Sequence, residues 1–186
     1  MTIIGISGAR GSFSEQAARE YVRTNNISDF RLEYLISAEN VLTTLNQGKI
    51  DLGIFPIENS NGGVVLEAIY AMSKHIFNIK NIFEIPVIHC LLVAPGTKKE
   101  TIAKIASHPQ AIKQCKMYLK RIWPKAGLEE RDDTAHAAED LKNKVLSATT
   151  AVIAPESCAK LYNLEILEKG IQDLKFNYTS FLAVKK

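Results

Sequence analysis

The sequence predicts an α/β protein with two lobes and a cleft between them. Short apolar strand segments alternate with segments of helical periodicity, a pattern typical of α/β proteins with largely parallel sheets. A long β-rich segment in the middle of the chain, "IKNIFEIPVIHCLLVAP", is interrupted by Pro86 and leads from one α/β set to another. The chain has 186 residues, 46% of them hydrophobic. This content suffices for two small lobes, each with its own core.

The first α/β set begins at the N-terminus and contains three predicted strand–helix pairs. The apolar, β-branched runs are predicted strands, and the runs after them have helical periodicity. In order, the pairs are "TIIGISG" with "SFSEQAAREYVRT", "FRLEYLIS" with "AENVLTTLNQG", and "IDLGIFPI" with "GGVVLEAIYAMSKH". Gly48 closes the second helix, as glycine often does at a helix C-terminus.

The second set follows the central β segment. The segment "KKETIAKIASHPQAIKQCKMYLKRI" predicts two helices around a break at Ser107-His108-Pro109. A strand "LEERDD", a helix "TAHAAEDLKN", a strand "TAVIAP" and a helix "ESCAKLY" come next, and "LEILEKGIQD" and "NYTSFLAV" close the chain as extended segments. Because the last two segments are expected to return to the first set, the predicted lobes are residues 1–78 with 165–186, and residues 79–164.

Composition excludes several classes of protein. The net charge is only +3 and the basic residues are scattered, whereas a nucleic-acid-binding face is focused and basic. No window reaches the roughly 18 apolar residues of a membrane span, and the apolar run at the start is too short for a secretory signal. Three widely spaced cysteines, Cys90, Cys115 and Cys158, form neither a disulfide framework nor a zinc pattern. We therefore expect a cytoplasmic protein with no nucleic-acid or membrane partner.

Two predicted strand ends in the first set carry polar residues, and ligands of open α/β sheets bind at such ends. In "GARGSFSEQ", Ser12 or Ser14 can cap the helix, whose N-terminus can accept an anion; an ordinary turn with a cap is the alternative. In "FPIENSNGG", Glu58, Asn59 and Ser60 combine different donors and acceptors, which suits a small polar ligand. Capping of the next helix by Asn or Ser is the alternative there.

Two further polar segments lie in the second set. In "SHPQAIKQC", Gln110 and Gln114 share one helical face, and His108 is either a general base or a structural hydrogen-bonding group. In "RDDTAHAAED", Asp133 or Thr134 caps a helix, or the hydroxyl points into the cleft. No second cluster of carboxylates or histidines accompanies this aspartate pair, so no metal site is predicted. The remaining histidines, His75, His89 and His136, are interpreted as structural.

Seven segments, taken together and in this order, resemble the catalytic domain of prephenate dehydratases. They are "GARGSFSEQAA", "FPIENSNGGVV", "HCLLV", "ASHPQAIKQC", "DDTAHAAE", "YNLEIL" and "NYTSFLAV". The resemblance implies a fold like that of type 2 periplasmic binding proteins, with the substrate in the cleft. It implies decarboxylation of prephenate with loss of its ring hydroxyl, giving phenylpyruvate for phenylalanine biosynthesis; some relatives use arogenate instead.

The resemblance also implies which residues act. Thr179 matches the family threonine and is assigned a hydrogen bond to the departing hydroxyl, with Asn59 and Gln114 as the other catalytic residues. The implied substrate-binding residues are Ser14, Glu58, Ser60, Ser107, Thr134, Ser180 and Phe181. Aromatisation drives the reaction, so neither a cofactor nor a metal is expected. A homodimer is expected from the family, and the regulatory ACT domain that usually follows is not expected after Lys186.

Two departures from the family pattern bear on the substrate. The family's Thr-Arg-Phe is here Thr179-Ser180-Phe181, and the loss of a charged hydrogen bond of about 1.5–3 kcal/mol lowers affinity or rate by roughly ten- to a hundredfold. Asp133 stands where relatives carry a small or hydroxylated residue. One hypothesis is that Asp133 pairs with the ammonium of arogenate. The alternatives are that Asp133 caps its helix, or that the missing positive charge is replaced by Arg10, Arg131 or Lys175. A family member that decarboxylates without dehydration and a non-catalytic module that binds a small carboxylate are the rival functions.

Overall fold

The computed structural model describes all 186 residues, and the chain divides into two compact units. The first unit comprises residues Met1–Pro86 and Tyr178–Lys186, and the second comprises Val87–Asn177. Both units are built from strands and helices, which confirms the predicted α/β class. The chain passes from the first unit to the second after Pro86 and returns after Asn177.

The chain forms eleven strands, seven α-helices and one 3₁₀ helix, Lys99–Thr101. The strands are β1 (Thr2–Ile6), β2 (Phe30–Tyr34), β3 (Leu52–Asn59), β4 (Gly63–Val64), β5 (Asn78–Pro86), β6 (His89–Val93), β7 (Lys104–Ser107), β8 (Gly127–Glu130), β9 (Thr150–Pro155), β10 (Glu165–Lys169) and β11 (Tyr178–Lys185). The helices are α1 (Phe13–Thr24), α2 (Ala38–Asn46), α3 (Leu66–Met72), α4 (Pro109–Gln114), α5 (Lys116–Ile122), α6 (Thr134–Lys142) and α7 (Glu156–Tyr162). None of these helices combines the length and apolar character needed to cross a membrane.

Each unit has one sheet of mixed direction. In the first unit the order is β2-β1-β3-β11-β5, with β4 added to β3, and in the second it is β10-β6-β9-β7-β8. Strand β1 pairs in parallel with β2 and β3, and β7 pairs in parallel with β8 and β9. The pairs that involve β4, β5, β6, β10 and β11 are antiparallel. The expectation of largely parallel sheets is therefore wrong for β5, β6, β10 and β11, all of which pair antiparallel with their neighbours.

The boundaries between the units differ from the predicted lobes. The segment 79–86 belongs to the first unit because β5 pairs with β11 along its length. The segment 165–169 belongs to the second unit because β10 pairs with β6. Strand pairing, which depends on partners distant in sequence, decides both assignments.

Two predicted helices differ in the structure. The helix predicted at "GGVVLEAIYAMSKH" begins only at Leu66, because Gly63 and Val64 pair with the end of β3. The helix predicted in "TIAKIAS" is instead the strand β7, whose Ile105 and Ala106 are fully buried. A short apolar run is compatible with either element, and its partners in the sheet decide.

Strand β11 has apolar layers on both faces, which explains its nearly continuous apolar sequence. Phe181 and Ala183 pack in the cluster that includes α1, and Leu182 and Val184 pack in the cluster that includes α2 and α3. Successive strand residues point to opposite faces. The adjacent hydroxyls of Thr179 and Ser180 therefore leave the strand in opposite directions.

Candidate active site

The predicted catalytic pair of the first unit meets where β3 and β11 run side by side. Asn59 lies opposite Thr179 in the antiparallel register. Its Nδ2 donates hydrogen bonds to Thr179 Oγ1 at 2.9 Å and to the Tyr178 carbonyl at 3.0 Å. Two residues separated by 120 positions in the chain thus share one hydrogen bond.

The turn after β3 sets the orientation of the Asn59 amide. Asn59 Oδ1 accepts the backbone N–H groups of Asn61 at 3.0 Å and Gly62 at 2.7 Å, so its nitrogen faces Thr179. The Thr179 side chain is 8% exposed, and its oxygen accepts from Asn59. Because that oxygen acts as an acceptor there, the hydroxyl proton is directed to another partner, and acceptance of a hydrogen bond strengthens a hydroxyl as a donor.

The other predicted residues of the first unit around this pair have varied roles. Ser60 Oγ accepts the Tyr178 N–H at 3.0 Å and so fixes the start of β11. Ser180 Oγ donates to Glu84 Oε1 at 2.9 Å, and Ser180 lies between Glu58 and Glu84 in the register of the three strands. The position of the family arginine is therefore flanked by two carboxylates.

Ser14 is placed in the interior of the β1–α1 turn. Ser12 is the N-cap of α1, accepting the Glu15 N–H at 3.3 Å. Ser14 is 6% exposed and donates to the Ser7 carbonyl at 2.8 Å. Gly8 is required in this turn, because a Cβ there would lie 2.5 Å from Ser12 Oγ. Of the two predicted caps, Ser12 is the residue that caps α1, whereas the Ser14 hydroxyl donates to a backbone carbonyl.

Gln114, the predicted catalytic residue of the second unit, is the last residue of α4. Its Oε1 accepts two hydrogen bonds, from His89 Nε2 at 2.8 Å and from Asn177 Nδ2 at 2.9 Å. His89 and Asn177 are both buried, with 3% and 2% exposure. Burial lowers the pKa of His89, against a smaller opposing effect of its hydrogen bond to Gln114, so its ring is neutral at pH 7.

Asp133 is the N-cap of α6, and the half-buried Thr134 is the first residue of that helix. Asp133 Oδ1 accepts the Ala135 N–H at 2.6 Å and the His136 N–H at 3.2 Å. This confirms the capping interpretation of Asp133. His108 similarly caps α4, because its Nδ1 accepts the Gln110 N–H at 3.2 Å; its structural role is the one observed.

Two predicted substrate-binding residues are core residues instead. Phe181 is 1% exposed and stacks on Phe83, with ring centroids 6.0 Å apart. Ser107 is fully buried, and its hydroxyl donates to the Ile153 carbonyl at 2.6 Å. Side chains enclosed in this way have no surface to offer a ligand, so both assignments are corrected.

Sequence reasoning missed the two partners of Gln114. His89 was interpreted as structural, and Asn177 received no role. One signal was present for Asn177: it is an amide in an otherwise apolar terminal segment, two residues before Thr179. Buried amides in such segments require hydrogen-bond partners.

Comparisons with known proteins agree with the resemblance found in the sequence. The family model for prephenate dehydratase matches residues 4–186. Arogenate dehydratase/prephenate dehydratase 6, chloroplastic, of Arabidopsis thaliana is 34% identical over 184 residues, covering 98% of this chain and 43% of the relative. The prephenate dehydratase of Lactococcus lactis subsp. cremoris is 35% identical over 188 residues, covering 98% of this chain and 63% of the relative. The chain therefore spans less than two thirds of the length of these relatives.

Solved structures are similar in fold. Prephenate dehydratase from Arthrobacter aurescens, in complex with L-Phe, has a TM-score of 0.87 at 23% identity, covering 99% of this chain and 60% of that one. The OxyR2 regulatory domain of Vibrio vulnificus (C206S mutant) has a TM-score of 0.51 at 12% identity, covering 100% of this chain and 85% of that one. The match of the family model over nearly the whole length shows that the chain belongs to the prephenate dehydratase family.

Proposed function

We propose that this protein is a carbon–oxygen lyase that converts prephenate to phenylpyruvate in phenylalanine biosynthesis. The observation that carries the proposal is the hydrogen bond from Asn59 Nδ2 to Thr179 Oγ1 at 2.9 Å. It orients a hydroxyl donor in the residue that matches the family threonine. Membership in the prephenate dehydratase family supports the same reaction.

The reaction breaks two bonds and needs one proton. The bond between the ring and its carboxylate breaks to release CO₂, and its electron pair enters the ring. The bond between the ring and its hydroxyl breaks, and the departing hydroxide takes up a proton from the solvent and leaves as water. Aromatisation supplies the driving force, and the task for the protein is to orient the ring and stabilise the departing oxygen.

In this proposal the Thr179 hydroxyl donates a hydrogen bond to the departing oxygen, while the Thr179 oxygen accepts a hydrogen bond from Asn59 Nδ2. Threonine is a weak acid, so its contribution is a positioned hydrogen bond rather than complete proton transfer. Gln114 binds a substrate carboxylate through its amide N–H groups. Glu58, Thr134 and Ser180 remain proposed contacts, because none of them is fully buried.

Prephenate is the proposed substrate in preference to arogenate. Several relatives are named arogenate dehydratases, which keeps arogenate as the second candidate. The feature of this chain that favoured it was Asp133, the expected partner for an ammonium group. Because Asp133 Oδ1 accepts two backbone N–H groups of α6, the capping role accounts for this residue without an amino-containing substrate.

Product analysis tests the proposal. Purified protein is incubated with prephenate and, separately, with arogenate, and aromatic product is followed by ultraviolet absorption. We expect the wild-type protein to form phenylpyruvate from prephenate. The rate of formation should be at least about a hundredfold lower for Thr179→Val and close to the wild-type rate for Thr179→Ser, which keeps the hydroxyl. A non-aromatic product would indicate decarboxylation alone. Equal inactivity of wild type and Thr179→Val, with prephenate still bound, would indicate a binding module.

We also propose that the protein is a cytoplasmic homodimer. The three cysteines are buried, which suits thiols in a reducing compartment, and closed two-fold association is the commonest arrangement among soluble homo-oligomers. Light scattering coupled to size-exclusion chromatography tests the dimer: a single species of one-chain mass at micromolar concentration would contradict it. Fractionation of the source cells tests the compartment.

A further inference from the structure

The carbonyl oxygen of Gln114 is held by two donors from different parts of the second unit. Asn177 Nδ2 reaches Gln114 Oε1 at 2.9 Å and His89 Nε2 reaches it at 2.8 Å. A carbonyl oxygen only accepts hydrogen bonds. The proton of the neutral His89 ring is therefore on Nε2, and both lone-pair directions of Gln114 Oε1 are engaged.

We propose that His89 is a positioning residue, which together with Asn177 holds the Gln114 amide in the orientation that presents its N–H donors, rather than its oxygen, to an anionic substrate. The inference rests on the proposed function, in which Gln114 binds a carboxylate. The two ends of a glutamine amide have nearly the same shape but opposite hydrogen-bonding character. A rotated amide would set an oxygen against the carboxylate and repel it.

His89 suits this role because its own position is fixed. Its backbone N–H donates to Gln172 Oε1 at 3.1 Å, and its carbonyl accepts the Ile171 N–H at 3.1 Å. Burial lowers the pKa of the ring, so it adds no charge beside Gln114 at neutral pH. A rigid, neutral, buried donor holds an amide without competing for the anion that the amide is to bind.

Asn177 is fixed in a similar way. Its carbonyl accepts the Val87 N–H at 2.7 Å, and its side chain is 2% exposed. It stands two residues before Thr179 in the chain. The segment that carries the proposed donor to the departing hydroxyl thus also carries one of the two groups that hold Gln114.

The kinetic test compares two substitutions of similar shape. The nitrogen of His89→Gln lies as many bonds from the backbone as Nε2 and keeps a donor, whereas His89→Met fills the space without one. For prephenate we expect kcat/KM within about threefold of wild type for His89→Gln and roughly tenfold lower for His89→Met, the size of one hydrogen bond. We assign to Gln114 the pyruvyl carboxylate of prephenate, which the reaction retains throughout, so the loss should lie mainly in KM.

A double-mutant cycle separates positioning from general destabilisation. In a Gln114→Ala background, His89→Met should cause no further loss of kcat/KM, because the amide that it positions is absent. An equal tenfold loss in both backgrounds would overturn the proposal, as would wild-type kcat/KM in His89→Met.

A measurement on the wild-type protein that needs no turnover tests the orientation of Gln114 independently of the proposed reaction. It is also unaffected by poor folding of a variant. Nitrogen-15 NMR of the wild-type protein should show His89 protonated at Nε2 and unprotonated at Nδ1 at pH 7. A scalar coupling across the hydrogen bond to the Gln114 side chain should accompany this tautomer. The opposite tautomer would overturn the inference even if prephenate is converted. The expected tautomer in a protein that converts neither prephenate nor arogenate would support the orientation of Gln114 while refuting the proposed reaction.

Discussion

Removal of the His89 imidazole should change how the stability of the second unit depends on pH. Burial lowers the pKa of His89 below its ordinary value of 6.5, so between the lowered value and 6.5 the unfolded chain binds a proton that the folded chain does not. The free energy of unfolding then decreases as the pH falls below about 6.5. Above that pH the stabilising contribution is complete. His89→Gln has no such titration.

The size of the effect follows from this one proton. The free energy of unfolding changes with pH by at most about 1.36 kcal/mol per pH unit for one proton. Between pH 7.5 and 5.5 the wild type should therefore lose up to about 1.4 kcal/mol more stability than His89→Gln. With a urea dependence of about 1–3 kcal/mol per molar, the difference between the two urea midpoints changes by up to about 0.5–1.4 M.

Tryptophan fluorescence is the suitable assay. The chain has a single tryptophan, Trp123, which is 9% exposed and packs in the core cluster of the second unit. Its emission reports unfolding of the unit that contains His89. Urea titrations at half-unit pH steps give the midpoints for wild type, His89→Gln and His89→Met.

The two variants control for loss of packing. They differ in shape and hydrogen bonding, so their stabilities at pH 7.5 will differ from each other. Neither side chain titrates, however, so their pH dependences should be parallel to each other and flatter than that of the wild type. Parallel curves for all three proteins down to pH 5 would refute the reasoning, since His89 would then titrate equally in the folded and unfolded states.

Three further predictions concern the remaining departures and corrections. Ser180→Arg places a guanidinium between Glu58 and Glu84 and should raise kcat/KM for prephenate about tenfold; an unchanged value would remove this position from the site. Asp133→Ala removes a helix cap and should cost about 0.5–2 kcal/mol of stability, measured by urea titration, while a changed ratio of kcat/KM for prephenate over arogenate would restore Asp133 as a specificity residue. Phe181→Ala should cost about 3–5 kcal/mol as a core truncation, whereas wild-type stability with a raised KM would make Phe181 a substrate contact.

The family and most secondary-structure elements could be read from the sequence because they depend on local patterns. Strand β9 and helix α6, for instance, follow the apolar run "TAVIAP" and the capped segment "DDTAHAAE". The sequence predicts a helix where the structure has the strand β7, because "KIAS" is too short to show a period. Its parallel pairing with β8 and β9 comes from residues more than twenty positions away.

For the candidate site, the sequence predicts Thr179, Asn59 and Gln114 from their match to the family motifs. It also placed Phe181 and Ser107 beside them, because a motif does not record which side chain points inward. Strand alternation buries Phe181 against Phe83, and the Ser107 hydroxyl donates a hydrogen bond to the Ile153 carbonyl. Direction and burial depend on the packed partners.

The sequence by itself determined the α/β class, the family and the chemical identity of the proposed donor. Those properties reside in residue types and their order along one chain. Only the tertiary structure decided that Asn59 lies against Thr179 and that His89 and Asn177 hold Gln114, since both arrangements need register and packing between segments far apart in sequence. The boundary of each unit was decided in the same way, because hydrogen bonding between β5 and β11, and between β6 and β10, assigns segments that local pattern leaves ambiguous.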